Sequence, residues 1–449
     1  MKIIIAGAGE VGFHLAKLLS FESQNITLID QDKESLTYAD THLDIKVVKG
    51  DATSINVLNE SQIGSSDLMI AVTSSETSNI TICLLAKQLG CKRTIARISN
   101  TEFIEHKDDL KFTSMGIDEL ISPEELAADE IHLLLEQAGF SDTYEFEDGA
   151  LTMIGTRLKR GAPFIGKSVK EVANIFPDFA FMPIALQRKG TQYTLIPRGD
   201  TQFKDGDNAY FITCKNGVDQ LYKLTGREKE DIKNVMILGG SKVGYKTARD
   251  LCANKFNVKL IEKNKTKAFD IAEDLPNALV INGDGRNVEL LEEEDIDEMD
   301  AFISVTGNSE TNIMSCLVAK SRNIKKTIAL VENMDYFQLS HSIGIDTLIN
   351  KKLLAANNIF RHIRRGEVVA LTKLNNMNAE ILEFIVNPGS KITGKKIKDL
   401  EFPRSAIIGG VVRNDEGIIA LGNFEIQVGD KVVVCCLPRS IKKVENMFF

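Results

Sequence analysis

The 449-residue sequence has no tryptophan, only 9 prolines and 7 cysteines, and no low-complexity segment. The cysteines form no C-x-x-C pair and only Cys435 and Cys436 are adjacent, so neither a zinc site nor a disulfide framework is indicated. A reducing cytoplasm is the compartment that this favours. No apolar run approaches the ~20 residues that cross a bilayer. The chain enters an apolar strand pattern at once, so we expect no cleaved leader.

The charge balance excludes further classes of protein. Acidic residues outnumber basic ones, 63 to 54, and the net charge is −9. This argues against broad binding to nucleic acids or to membrane surfaces. The chain is also too long for one compact core, and its length predicts about two to four domains.

An internal duplication is the clearest organising feature. "IIIAGAGEVG" (residues 3–12) is answered by "VMILGGSKVG" (235–244), at an offset of 232 residues, and "AVTSSETSNI" (71–80) by "SVTGNSETNI" (304–313), at an offset of 233. A second pair is interleaved, since "GAPFIGKSVKEV" is answered by "GSKITGKKIKDL". We therefore predict four domains in the order A–B–A′–B′, at residues 1–140, 141–228, 232–365 and 366–449.

The alternation of apolar runs and helical patterns predicts an α/β protein. In the first copy of A the strands are near-continuous apolar runs, which is typical of a parallel sheet covered on both faces. We predict strands at residues 2–6, 26–30, 46–49, 68–73, 94–98 and 119–121, and helices at 11–19, 54–62 and 77–89. The two A domains are thus predicted to be Rossmann-like, doubly wound sheets. Each B domain is predicted to be a small α/β module, with β-rich runs at 151–158, 183–188 and 209–213 in the first copy.

One helix connects each A domain to the following B domain. The patterns are "SPEELAADEIHLLLEQAG" (122–139) and "NKKLLAANNIFRHIRRG" (350–366), each with an apolar stripe at helical spacing. Two interpretations are open. The stripe packs on its own domain, or the helix crosses over and docks on a neighbouring domain, so that the stripe becomes a dimer seam.

The glycine turn of the first copy predicts a nucleotide site. Gly7 permits a tight turn, Gly9 lets a pyrophosphate approach the backbone, and Gly12 brings the helix close to the sheet, with helical N–H groups facing the anion. Asp30 closes the next strand, where it is placed to accept hydrogen bonds from ribose hydroxyls and to repel a 2′-phosphate. We therefore expect NAD or an adenine nucleotide and not NADP. A purely structural glycine turn is the alternative.

Further candidates follow other strands at the same edge of the sheet. Asp51 and Ala52 lie where an adenine ring is expected, and Thr73 and Ser74 are placed to bond ribose or phosphate. Arg97 either pairs with a phosphate or forms a structural ion pair. The predicted binding residues of the first copy are Gly7, Ala8, Gly9, Glu10, Val11, Asp30, Asp51, Ala52, Thr73, Ser74 and Arg97.

The second copy departs from this pattern. Ser241 replaces the middle glycine, Leu330 replaces Arg97, and Lys242 replaces Glu10, whereas Glu262 keeps the ribose acid. We expect this site to bind a nucleotide differently or more weakly, or to be empty. Its predicted residues are Gly239, Gly240, Ser241, Lys242, Val243, Glu262, Asp284, Gly285, Thr306 and Gly307.

Catalytic residues are not evident. None of the 6 histidines recurs in both copies. Cys83 and Cys316 do correspond, but a mid-helix cysteine on an apolar face is usually a core residue and not a nucleophile. We predict no catalytic residue and no metal site. An NAD-dependent oxidoreductase is the alternative that the fold favours.

Together these residues resemble the TrkA family of potassium-uptake regulatory proteins, which are built from domains that regulate potassium conductance. The resemblance lies in "MKIIIAGAGEVG", "LID", "GDAT", "AVTSSETSNI", "IARI" and the "GKS…GD" pair of the small domain, and it covers essentially the whole chain. Its four-part order and "VTSSETSNI" are the specific features.

The resemblance implies a regulatory protein that is not an enzyme. It implies a cytoplasmic subunit, peripheral on the inner face of the cell membrane, that gates a TrkH-like potassium channel or transporter and assembles as a homo-oligomer, a tetrameric ring. It also implies that NAD(H), ATP or ADP binds and alters the angle between paired domains. The family's nucleotide contacts match Gly7, Gly9, Asp30, Asp51, Thr73 and Arg97 in the first copy. In the second copy they match Gly239, Glu262, Asp284 and Thr306.

Overall fold

The computed structural model divides into two units, each built from two segments of the chain. The first unit comprises Met1–His132 and Lys233–Ile363, and the second comprises Leu133–Ile232 and Arg364–Phe449. The structure describes all residues except 21–23, 101, 137, 139, 141, 148, 178, 192, 227–230, 334–335, 337–343, 364–367, 375–376 and 449. The polar, charged stretch "TGREKEDIKN" (225–234), which the sequence suggests as a hinge between the two halves of the chain, lies partly outside the described residues.

A parallel six-stranded sheet forms the centre of the first copy of A, in the order β3-β2-β1-β4-β5-β6. Its strands are β1 (Lys2–Ala6), β2 (Asn25–Asp30), β3 (Lys46–Lys49), β4 (Leu68–Ala71), β5 (Arg93–Arg97) and β6 (Glu119–Ile121). Ile3, Ile4 and Ile5 are fully buried, because helices cover both faces. The strand order reverses between β1 and β4, which is where ligands bind in open α/β sheets.

The helices of this copy are α1 (Glu10–Ser20), α2 (Lys33–His42), α3 (Ile55–Glu60), α4 (Glu76–Gln88), α5 (Glu102–Glu105), α6 (Lys107–Leu110), α7 (Phe112–Met115) and α8 (Pro123–Glu136). The predicted strands and helices are present to within a few residues at each end. Helix α2 and the short turns α5–α7 were missing from the prediction. In α2 only Leu36 and Ala39 are buried, so its apolar stripe is too short to show in the pattern.

The second copy repeats this topology. Its strands are β12 (Asn234–Leu238), β13 (Asn257–Glu262), β14 (Ala278–Asn282), β15 (Ala301–Ser304), β16 (Lys326–Leu330) and β17 (Thr347–Ile349), in the order β14-β13-β12-β15-β16-β17. Its helices are α11 (Lys242–Ala253), α12 (Lys265–Asp274), α13 (Val288–Glu293), α14 (Ser309–Ser321) and α15 (Lys351–Ile363). The prediction of two doubly wound domains is confirmed.

The connecting helices join the two A domains within the first unit. Helix α15 of the second copy packs against α1 and β6 of the first. In the reciprocal direction, Glu125 on α8 pairs with Lys246 on α11 at 3.0 Å, and the rings of His132 and Phe256 lie edge to face. Of the two interpretations of the apolar stripe, the structure therefore favours docking on a neighbouring domain, and here that neighbour is the other A domain of the same chain.

The second unit holds two antiparallel sheets of five strands, in the orders β10-β9-β11-β8-β7 and β18-β19-β22-β20-β21. The first has β7 (Asp142–Phe146), β8 (Leu151–Arg157), β9 (Phe181–Gln187), β10 (Thr194–Leu195), β11 (Asn208–Cys214), α9 (Val169–Ile175) and α10 (Val218–Thr225). The second has β18 (Val368–Lys373), β19 (Glu380–Ile385), β20 (Ala406–Arg413), β21 (Glu416–Ile418), β22 (Lys431–Cys436) and α16 (Ile441–Phe448). The prediction of small α/β modules is confirmed.

One apolar cluster joins these two sheets, and it includes Ile184 and Ile212 from the first and Val412 and Val433 from the second. A Cβ at Gly409 would overlap the Ile212 side chain, so β20 lies unusually close to β11. Within the described residues of both units, no helix is long and apolar enough to cross a membrane.

Candidate functional site

A cleft of about 510 Å³ opens at the carboxyl ends of the strands in the first copy. We call it the first cleft. Ten of the eleven predicted residues line it, namely Gly7, Gly9, Glu10, Val11, Asp30, Asp51, Ala52, Thr73, Ser74 and Arg97. Ala8 is the exception, and its N–H donates a 2.5 Å hydrogen bond to Asp30 Oδ2. The structure thus brings together residues from five separate segments of the first copy.

The glycine turn has the shape that the sequence predicts. Gly7 has φ +109°, in the region that favours glycine, and a Cβ there would press on Val72 C and O at 2.9 Å. A Cβ at Gly12 would overlap the carbonyl oxygen of Gly7, so the first turn of α1 packs directly on the backbone of the glycine turn. By contrast, a Cβ at Gly9 would meet nothing within 4 Å. Gly9 is therefore not needed for packing, and its bare backbone borders the first cleft.

Asp30 organises the edge of this cleft. One carboxylate oxygen accepts from Ala8 N, as above, and the other accepts from Asp32 N at 2.8 Å. Asp32 in turn caps α2, since its side chain accepts from the N–H groups of Glu34 and Ser35. The end of β2, the glycine turn and the start of α2 are thus fixed by one acid that also lines the first cleft.

Asn79 fixes the loop after β4. Its Oδ1 accepts from Thr73 N and Thr73 Oγ1 at 2.9 and 2.6 Å, and its Nδ2 donates to the carbonyl oxygens of Thr73 and Arg97. Asn79 is almost fully buried. Asn79 does not cap α4, since the cap is Ser75, whose side chain accepts from Ser78 N. The Thr73 hydroxyl donates to Asn79 and accepts from Ser75 N at 3.3 Å, so this threonine offers a ligand one remaining oxygen lone pair.

Arg97, the last residue of β5, contributes a cationic side chain to the first cleft. Its side chain lines the cleft, and its Nε is buried without a hydrogen-bond partner among the residues that the structure describes. A buried donor without an acceptor is unfavourable by about 1–3 kcal/mol, so an anionic ligand at this place would relieve the cost. Of the two roles predicted for Arg97, the geometry favours the anion partner.

The first cleft is acidic near Asp51, one of the predicted residues. Asp51 accepts from the backbone N–H and the hydroxyl of Thr53, and these hydrogen bonds lower the pKa of the Asp51 carboxyl. The prediction missed five further polar residues that line the cleft, namely Gln31, Ser35, Thr53, Ser75 and Ser78. Their position next to strand ends and helix starts was the signal in the sequence that would have identified them.

Lys352 also lines the first cleft, although it lies on α15 of the second copy. Its Nζ is 2.9 Å from Glu10 Oε2 and 3.1 Å from Glu332 Oε2. Burial lowers the pKa of Lys352, but the hydrogen bonds to Glu10 and Glu332 outweigh it and the net shift is upward. The ammonium is therefore charged at neutral pH, at the mouth of the first cleft.

The equivalent edge of the second sheet, here called the second site, is built differently at the glycine turn. Gly239 keeps the positive φ of Gly7, at +104°, and Glu262 accepts from Gly240 N at 2.9 Å, as Asp30 does in the first copy. Ser241 donates to the Val305 carbonyl at 2.6 Å and accepts from Gly244 N. Its hydroxyl is thus bonded to the protein itself.

Other substitutions change the surroundings of this turn. Leu330, in place of Arg97, is buried, so the second site has no counterpart of that guanidinium. Lys242 donates to the Ser99 carbonyl of the first copy at 3.2 Å. Thr306 repeats the bonds of Thr73, with Asn312 as its partner. The remaining predicted residues lie on the same turn and loops, at Val243 in α11, Gly285 after β14 and Gly307 after β15.

The paired cysteines are core residues. Cys83 and Cys316 are fully buried, and each thiol donates to a carbonyl on the neighbouring strand, Ile95 and Ile328 respectively. Burial raises the pKa of both thiols far above neutrality, so neither forms the thiolate that nucleophilic chemistry requires. Across the described part of the chain, no group of three His, Cys, Asp or Glu side chains is arranged to hold a metal ion.

Comparison with known families decides the relationship. The TrkA-N domain model matches residues 3–123 and 235–351, and the TrkA-C domain model matches residues 154–226 and 381–448. The chain belongs to the TrkA family. The resemblance inferred from the sequence is therefore confirmed, and so is the repeated order of a larger and a smaller domain.

Full-length relatives agree with this assignment. The Trk system potassium uptake protein TrkA of Halomonas elongata is 32% identical over 453 residues, which is 100% of this chain and 98% of that protein. The TrkA protein of Haemophilus influenzae is 33% identical over 454 residues, 100% of this chain and 98% of its own. These relatives are potassium uptake proteins and not enzymes, and this TrkA-family chain is likewise not an enzyme.

Solved structures share the fold at low sequence identity. The RCK domain of GsuK superposes with a TM-score of 0.60 at 16% identity, over 100% of this chain and 94% of that one. The GsuK channel bound to NAD has a TM-score of 0.62 at 16% identity, over 100% of this chain and 78% of the channel. The TrkA-family chain therefore has the RCK fold twice.

Proposed function

We propose that the chain is the nucleotide-binding regulatory subunit of a Trk-type potassium uptake system. In this proposal NAD(H), ATP or ADP binds in the first cleft, and the bound nucleotide controls potassium transport through a separate membrane subunit. The relatives from H. elongata and H. influenzae carry the name of such a system. Structures of GsuK bound to NAD and bound to ADP support the choice of ligands.

The observation that carries the proposal is the unpaired guanidinium Nε of Arg97 in a cleft that begins at a glycine turn. Nucleotide phosphates supply the acceptor that this donor lacks, and arginine suits phosphate geometry. The open space above Gly9 gives a phosphate access to the backbone at the start of α1. Asp30, at the end of β2, is placed for the ribose hydroxyls.

Lys352 couples ligand binding in the first cleft to the contact between the two A domains. It connects the first cleft to the second copy through Glu10. A phosphate near Glu10 competes for the same ammonium, so nucleotide binding alters the contact between the two A domains. A ligand shifts a conformational equilibrium only through such differential contacts.

The proposal includes the location and assembly of the protein. We place the subunit in the cytoplasm, on the inner face of the membrane, bound to a TrkH-like potassium channel or transporter and assembled as a homo-oligomeric ring of four chains. We also propose the domain limits 1–140, 141–228, 232–365 and 366–449. Most soluble oligomers have closed symmetry, and head-to-tail interfaces generate rings when the rotation closes.

The decisive experiment is potassium flux through the reconstituted membrane subunit, with and without the purified chain, while NADH, ATP or ADP is titrated. We expect flux to depend on the chain and to respond to at least one nucleotide. A matched chain carrying R97L should still bind the membrane subunit but should respond only at higher nucleotide concentrations. Flux that ignores every nucleotide, or a wild-type chain that binds none of them in calorimetry, would refute the proposal.

A further inference from the structure

The second site differs from the first cleft in charge as well as in its glycine turn. Gln31, Ser35 and Thr53 line the first cleft as neutral side chains. The equivalent residues of the second copy are Lys263, Lys267 and Arg286, at the same offsets of 232 or 233 residues. In addition, the acidic helix cap Asp32 is replaced by the neutral cap Asn264. The ribose end of the site thus changes from acidic to basic between the two copies.

The three cations converge on two carboxylates. Lys263 Nζ lies 3.0 Å from Asp284 Oδ2, and Arg286 holds the same carboxylate through a bond of 2.6 Å from Nη2. Lys267 Nζ lies 3.9 Å from Glu262 Oε2. The pKa of Asp284 is held well below its usual range, mainly by the hydrogen bonds from Arg286 and also by the one from Lys263. Burial of the carboxyl opposes this effect but does not outweigh it. The carboxylates leave one positive charge uncompensated in this cluster.

These cations are available to a ligand. The side chains of Lys263 and Arg286 are 67% and 61% exposed, and that of Lys267 is 48% exposed. Glu262, which marks the ribose position by analogy with Asp30, is only 12% exposed and is bonded to the backbone of Gly240 and Asn264. An anion at the ribose end therefore meets three cations at the surface and a largely covered acid beneath them.

We propose that the second site binds a nucleotide whose adenosine ribose carries a phosphate on its 2′- or 3′-hydroxyl. This rests on the proposed function, because it takes the second site to receive a nucleotide as the first cleft does. In Rossmann folds a basic side chain next to the ribose accommodates a ribose phosphate. The glycine turn, where Ser241 occupies its own hydrogen bonds and Leu330 replaces Arg97, contributes less to binding here. Selectivity moves to the ribose end.

The first cleft selects against the same ligand. Asp30 and Asp32 lie at its ribose end, with Asp51 next to them at the adenine position. Gln31, Ser35 and Thr53, which are equivalent to the three cations of the second site, are all neutral. The two sites of one chain would therefore report on two chemically different nucleotides, one with a free ribose and one with a phosphorylated ribose. No single ligand would fill both sites with equal affinity.

The test uses the full-length chain with the first cleft blocked by Gly9→Val, since a side chain at Gly9 projects into open space and not into the protein core. Calorimetry then compares AMP with adenosine 2′,5′-bisphosphate and adenosine 3′,5′-bisphosphate. We expect one of the bisphosphates to bind about 10- to 100-fold more tightly than AMP, the range for charge-assisted hydrogen bonds. A triple variant with the first-copy residues, K263Q/K267S/R286T, should lose this preference.

A matched control is Lys265→Gln, because Lys33 is the equivalent lysine of the first copy and this position cannot explain a difference between the sites. It should keep the preference. The reciprocal variant Q31K/S35K/T53R should gain bisphosphate affinity in the first cleft. AMP and both bisphosphates binding equally, or nothing binding in the Gly9→Val chain, would overturn this inference. In either case nucleotide binding by the wild-type first cleft would leave the proposed function standing.

Discussion

Lys352 Nζ lies 2.9 Å from Glu10 Oε2, although the two residues belong to different copies of the larger domain. The pair borders the first cleft, so the proposed nucleotide phosphate would lie near a carboxylate that repels it and an ammonium that attracts it. This arrangement predicts opposite effects for the two partners. Lys352→Gln should weaken ATP binding about tenfold, and Glu10→Gln should strengthen it.

Calorimetry with adenosine, AMP, ADP and ATP would check this prediction, because the effect of each substitution should grow with phosphate number. Lys17→Gln is the control, since Lys17 is an exposed residue of α1. Equal losses for adenosine and ATP would point to a structural effect and contradict an electrostatic one.

Arg97→Leu introduces the residue that the second copy has at the equivalent position. Because the Nε of Arg97 has no acceptor among the described residues, its removal leaves no protein group unpaired. We expect nucleotide affinity to fall about 10- to 100-fold and the melting temperature to stay the same or rise. Fluorescence titration with NADH would measure the affinity. A chain that melts early and binds normally would instead assign Arg97 a purely structural role.

Gly9 and Gly12 should respond differently to substitution. Gly9→Val adds a side chain into open space and should abolish nucleotide binding to the first cleft while stability is retained. Gly12→Ala places a methyl group on the Gly7 carbonyl and should lower stability by about 1–3 kcal/mol. Urea unfolding and calorimetry separate the two outcomes. Similar unfolding midpoints for both variants would show that the turn tolerates a side chain at either position.

Asn79 and Asn312 form a matched pair for testing the loop after β4. Each is buried and makes the same four hydrogen bonds in its own copy, and Asn312 accepts one more from Ser304 Oγ. Asn79→Ala and Asn312→Ala should each cost about 1–3 kcal/mol, because buried backbone groups lose their partners. Only Asn79→Ala should weaken nucleotide binding to the first cleft. If both variants weakened it equally, the effect would come from global destabilisation.

Asp67 provides a prediction about pH. The Lys92 ammonium at 2.7 Å, followed by the Lys2 N–H, lowers the pKa of Asp67 from its ordinary value of 3.8. An acid with a lowered folded pKa stabilises the fold above its unfolded pKa, and this contribution is lost as the pH falls through the folded value. Asp67→Asn should therefore lower the urea midpoint most at pH 7, and this difference should shrink as the pH falls below 3.8. A difference that stays constant as the pH falls would mean that charge is not the cause.

Much of the fold follows from the sequence because its main signals are local. Apolar runs such as residues 2–6 mark buried strands, and the glycine turns mark where the strands end. The duplication then predicts the second copy from the first. Helix α2 could not be predicted this way, since it buries only Leu36 and Ala39. Its beginning was nevertheless marked by the cap Asp32, which periodicity alone does not detect.

The site was predictable where the chain itself forms it. Asp30 and Arg97 lie at the ends of strands, and the parallel sheet brings these ends to one edge. Lys352 was not predictable, because it reaches the first cleft from another domain, far away in the sequence. Its position depends on the docking of α15, one of two interpretations that the apolar stripe left open. Contacts between domains are set by surface shape and charge, which no local pattern records.

The fusion of both copies in one chain has a consequence for their pairing. Glu10 corresponds to Lys242 and Lys352 corresponds to Glu124, so the two copies carry reversed charges at equivalent places. A symmetric partnership of two first copies would set Glu10 against Glu124, and one of two second copies would set Lys242 against Lys352. Both would repel, whereas unlike halves attract. Because the two copies differ in sequence, a first copy can pair preferentially with a second copy. Identical domains cannot discriminate in this way, since every pairing between them is the same.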